Sequence, residues 1–94
     1  MAAVLNKTMA SKLAIGLERT PAVSPQTMQS FTEVLATIQR PGASEQDAEA
    51  ALRGWMKATQ PHAASVIRAI VLGMSYQKEI APTSWIYKAV TAKG

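Results

Sequence analysis

Apolar side chains along this chain recur at spacings of three and four rather than two, a period that predicts helices throughout. Leu5, Met9, Leu13 and Leu17 step by four and draw one stripe down the amino-terminal segment. That stripe ends before Thr20-Pro21, because a proline ring disfavours helical geometry in the residue ahead of it. Ser24-Pro25 starts a second helix: the serine side chain can accept a bond from a free amide of the first turn, and proline is tolerated at the first helical position. Met28, Phe31, Leu35 and Ile38, with Val34 beside them, give this helix a seam for packing, and Arg40-Pro41-Gly42 closes it. Ser44-Glu45-Gln46-Asp47 reads as a capping box with Asp in place of the usual Glu. The third helix then puts Ala48, Ala51, Leu52, Trp55 and Met56 on one side and Glu45, Glu49, Arg53 and Lys57 on the other.

After Pro61 the pattern changes. Ala63, Ala64, Val66, Ile67, Ala69, Ile70, Val71, Leu72 and Met74 leave almost no polar face, which predicts a central helix over 61–74 buried on most sides. Its single charge, Arg68, is expected to snorkel outward or to meet an acid such as Glu33 or Glu79, since an unpaired buried cation is costly. Gly73 is expected to weaken or end the helix. Pro82-Thr83-Ser84 starts a last short helix with Trp85, Ile86, Ala89 and Val90 on its apolar edge. No stretch alternates apolar and polar residues long enough for a strand, and no internal repeat or low-complexity tract stands out. The expected fold class is therefore all-α: a small compact array of four to five helices without a sheet. Residues 1–94 form a single domain, with an amphipathic first helix over 1–19 able to extend from the body and a helical core over 24–94.

Composition narrows the function classes. The chain has 94 residues, 48% of them apolar and 17% charged, so it is globular rather than disordered and somewhat poor in charge for a free-standing surface. Without cysteine there is no disulfide frame, thiolate nucleophile or thiolate zinc site. A net charge of +4 suits nucleic acid, anionic lipid or an acidic protein equally. Lys57, Arg68 and Lys78 interrupt the most apolar region, which rules out a membrane span and leaves contact with a membrane surface open. The amino end has Lys7, Lys12 and Arg19 and no acid before Glu18, a composition like that of an organelle transit peptide. The expected location is intracellular, cytoplasmic or on the mitochondrial matrix side, and not secreted.

Candidate chemistry is sparse. Ala69, Gly73 and Ser75 suggest the turn of a helix-turn-helix, but Glu79 falls where the apolar anchor belongs and Pro82 interrupts the reading helix. Pairing Ala51–Met56 with Pro61–Ile70 instead gives a reading helix with hardly any polar side chains for base edges. His62 is the only histidine, so no catalytic constellation, metal-ligand spacing or phosphate-cradling glycine pattern emerges, and no cofactor is expected. What remains is a non-catalytic interaction module, such as a small accessory or assembly subunit, whose partner is another protein or a second copy of the chain. Its expected contact residues are the stripe Leu5, Met9, Leu13 and Leu17 together with Trp85, Ile86 and Ala89, because Met and Trp are enriched in interface cores. The rival reading is a small basic nucleic-acid binder, in which Lys78, Lys88 and Lys93 contact phosphate near Tyr76, Trp85 and Tyr87.

Overall fold

Ser24 and Ser44 sit in extended backbone and accept hydrogen bonds from the amides of Thr27 and Asp47, so two helices begin where the capping residues put them. The computed structural model describes residue 5 and residues 7–92. Within them lie α1 (Lys7–Glu18), α2 (Pro25–Ile38), α3 (Glu45–Ala58), α4 (Pro61–Tyr76) and α5 (Trp85–Thr91), and no strand. The all-α class read from the periodicity is the observed one. A radius of gyration of 12.2 Å matches the ~12 Å expected of a folded chain of this length.

The connections into α2 and α3 are built alike, a similarity that residue spacing alone does not advertise. Pro21-Ala22-Val23-Ser24 and Pro41-Gly42-Ala43-Ser44 each carry a left-handed residue after the proline, with φ 66° at Ala22 and 86° at Gly42. Glycine takes this conformation freely, whereas alanine is strained by its Cβ by about 1–2 kcal/mol. Ala22→Gly should therefore raise stability by about 0.5 kcal/mol, once the added freedom of the unfolded chain is offset. Gly42→Ala should lower it by about 1 kcal/mol. Urea denaturation of the two variants reads both signs, and equal effects would contradict the strain.

The helices pair through specific side chains. Phe31 of α2 lies against Trp55 of α3, with ring centroids 4.8 Å apart and tilted by 54°. The Trp55 indole N–H donates to Ser30 Oγ at 2.9 Å, which satisfies the polar edge of a buried ring. Further along, Ser24 N and Thr27 Oγ1 both donate to Gln60 Oε1, at 3.1 and 2.9 Å. Gln60, just ahead of α4, thus clamps the start of α2 and sets α2 and α3 antiparallel. α1 lies antiparallel to α4: Gly16 faces Ile70, and Lys12, a turn earlier, bonds Glu79 just past the end of α4 at 3.2 Å. A Cβ at Gly16 would overlap the tip of the Ile70 side chain, which would have to turn aside to admit it. α5 runs parallel to α3, its Trp85 and Lys88 beside Glu45 and Glu49 and its Val90 beside Arg53 and Lys57.

Four sequence expectations change in the folded chain. First, α4 is not buried on most sides: His62, Ser65, Ala69, Leu72, Gly73 and Tyr76 form an exposed outer face, because the small and apolar residues there meet no neighbouring helix. Second, Gly73 lies inside α4, which continues to Tyr76, so the turn of a helix-turn-helix is absent at this place. α4 ends at Tyr76, and Lys78 just beyond it, with a positive φ of 65°, closes the last turn together with a 2.8 Å bond from Glu79 N to Met74 O. Third, of the two arrangements expected for Arg68 the acid is not met: the residue is exposed, as snorkelling requires, and its Nε donates to Val90 O of α5 at 2.8 Å. Glu79 is taken by Lys12. Fourth, α1 does not extend from the body, because Leu13 and Leu17 are fully buried in the shared core.

Candidate functional site

The residues expected to form the contact surface are placed inside. Leu5, Leu13, Leu17, Trp85, Ile86 and Ala89 all belong to the buried cluster, and Met9 packs against it. The physical reason is geometric. The stripe of α1 lies toward α2 and α4 and the apolar edge of α5 lies on α3 and α4, so each is covered by this chain before any partner arrives. All seven therefore lie in or against the core of this chain.

The apolar surface that is left lies elsewhere. Among the described residues the exposed large hydrophobics are Ile15 at 45%, Leu72 at 37% and Tyr76 at 90% of full exposure. Leu72 and Tyr76 are one turn apart on the outer face of α4, flanked by the small residues Ala69 and Gly73. No atom lies within 4 Å of where a Gly73 Cβ would stand, so this face is open. Ile15 projects from α1 next to Gly16, which faces Ile70 of α4. Below Tyr76 a shallow depression is lined by Ser75, Lys78, Glu79, Ile80, Ala81 and Pro82, and most of its surface is apolar. Tyr76 is a rigid amphipathic ring, of the kind that anchors protein interfaces.

The lysines expected to act together are not gathered. Lys78 borders the depression under Tyr76, whereas Lys88 lines a different one with Glu45 and Glu49. Lys93 lies outside the described residues. A basic cluster that spacing did not single out forms instead from Arg53 and Lys57 of α3 and Arg68 of α4, around a cleft completed by Met56, Ala89, Val90 and Ala92. Arg53 and Lys57 are visibly one turn apart in the chain, but the arrival of Arg68 depends on how α4 crosses behind α5. A neutral polar depression occurs at the Gln60 clamp, lined by Ser24, Gln26, Thr27, Ser30, Trp55 and Thr59. Its hydroxyls and amides mostly bond one another, which reads as structural joinery between α2 and α4.

Among the described residues no three His, Cys, Asp or Glu side chains come together as metal ligands, and no helix is long and apolar enough to cross a membrane. No protein-family model, curated protein or solved structure matches the chain.

Proposed function

We infer that the chain is a non-catalytic protein-interaction module that docks through the outer face of α4 and the adjoining edge of α1. The observation that carries this reading is Tyr76, 90% exposed at the end of a helix whose outer face turns from His62 and Ser65 to Ala69, Leu72 and Gly73 as it approaches that ring. A tyrosine left in water while the tryptophans are buried is a surface ready to be covered, and the small residues beside it let a partner backbone come close. The partner is another protein chain, with a second copy of this one as the special case.

Tyr76 is almost wholly exposed, so binding and folding separate at that position. Tyr76→Asp should leave the unfolding free energy within about 0.5 kcal/mol of the parent, as exposed substitutions do, whereas Leu72→Asp, at 37% exposure, should lower it by about 1 kcal/mol. Combined, they should weaken the complex by about thirtyfold or more, because a central interface aromatic contributes at least ~2 kcal/mol. Co-purification under gentle conditions measures this for a heterologous partner, and concentration-dependent sedimentation measures it for self-association. A complex that survives both substitutions unchanged places the contact on another face.

A further inference from the structure

The geometry points to a second site, independent of the α4 outer face: the cleft between α3, α4 and α5 binds a phosphate group through Arg53, Lys57 and Arg68. Three cations from two helices line a space of about 130 Å³, the scale of a small oxyanion with part of its hydration. Among the described residues one acid answers them: Glu49 pairs with Arg53 at 3.5 Å. Among the described residues neither Lys57 nor Arg68 has an acidic partner within ion-pair distance.

Helix ends explain part of this arrangement. Lys57 lies in the last turn of α3, where a cation complements the negative end of the dipole, and Arg68 bonds the Val90 carbonyl near the end of α5. The remainder is not explained so. The Val90 bond uses Nε alone and fixes the guanidinium at the cleft, while its Nη groups have no partner among the described residues. A guanidinium anchored through one nitrogen and open at the others is preorganised to grip an oxyanion with paired donors, at little cost in side-chain freedom. Like charges held together in one cleft repel, and a dianion placed among them removes that repulsion as well as forming bonds. The apolar wall of Met56, Ala89 and Val90 limits competing water on one side.

The ligand chemistry is that of a phosphate carrying two negative charges, free or as a monoester. The test titrates the full chain, followed by amide and arginine Nε resonances, at constant ionic strength with three probes: inorganic phosphate, glycerol 3-phosphate and a ten-nucleotide single strand. Saturable shifts centred on Lys57, Arg68 and Val90 with inorganic phosphate support the site, and saturation by glycerol 3-phosphate alone assigns the source to a monoester. Lys57→Gln, which breaks no described hydrogen bond, should weaken that binding about tenfold, the effect of removing one charge-assisted contact. Arg68→Gln should weaken it further, with folding checked separately because the Val90 bond is also lost. Three results would overturn the proposal: no saturation with either small probe, full binding by Lys57→Gln, or binding of the oligonucleotide alone, which would make the cleft part of a nucleic-acid surface.

Discussion

Phe31→Ala should remove about 3–5 kcal/mol of folding stability, a large share of the ~5–15 kcal/mol typical of a whole domain. Phe31 is fully buried in the α2–α3 pairing and packs at a tilt against Trp55. Truncation leaves a cavity between two antiparallel helices that cannot collapse freely, because the Gln60 clamp and the Trp55–Ser30 bond hold them at a fixed separation. The loss therefore belongs at the upper end of the range for large-to-small substitutions. Equilibrium urea denaturation followed by tryptophan fluorescence measures it. A loss below ~1 kcal/mol would mean that α2 and α3 do not pack as described.

Deleting residues 1–19 should abolish cooperative unfolding altogether. α1 brings Leu13 and Leu17 into the centre of the core, and Leu5 ahead of it is equally buried. Each such leucine is worth about 2–5 kcal/mol when cut back to alanine, and the deletion also uncovers Ile70 on α4, which Gly16 faces. In so small a chain the remaining four helices lack the buried area to compensate. The truncated chain should show a weak, gradual thermal transition by circular dichroism and bind a hydrophobic dye. A sharp transition within a few degrees of the parent would show that α1 is an appendage. The transit-peptide-like composition of this segment is thus compatible with a wall of the fold, since a basic amphipathic helix and a core helix with lysines on its outer side have the same letters.

Local signals were readable and global ones were not. Ser24 and Ser44 announce helix starts because a cap is a contact within four residues, and the proline breaks follow from sterics of adjacent residues. The seam of Phe31, Leu35 and Ile38 is likewise legible, and all three are buried. Stripes, however, do not name the element that covers them. Leu13 and Trp85 read equally well as core or as docking surface until α1 is seen on α4 and α5 on α3. The apolar count of α4 misled in the other direction: Ala69, Leu72 and Gly73 add hydropathy without adding a neighbour, and only the absence of a helix over them makes them surface. Arg68 illustrates the same limit, since its partner is a backbone carbonyl 22 positions away in the chain, a group that no side-chain pattern encodes. The site assembled from Arg53, Lys57 and Arg68 was hidden for that reason, as was the separation of Lys78 from Lys88.

Leucines and tryptophans close the core, and the outer face of α4 is the surface proposed to meet a partner. Site-specific photo-crosslinking in the native source tests this most directly, with a benzoyl-phenylalanine at Tyr76 compared with one at Gln29, an exposed position on α2. The account predicts one discrete higher-mass adduct from position 76 and none from position 29. Adducts from position 29 alone, or none from 76 while the untagged complex still assembles, would contradict it.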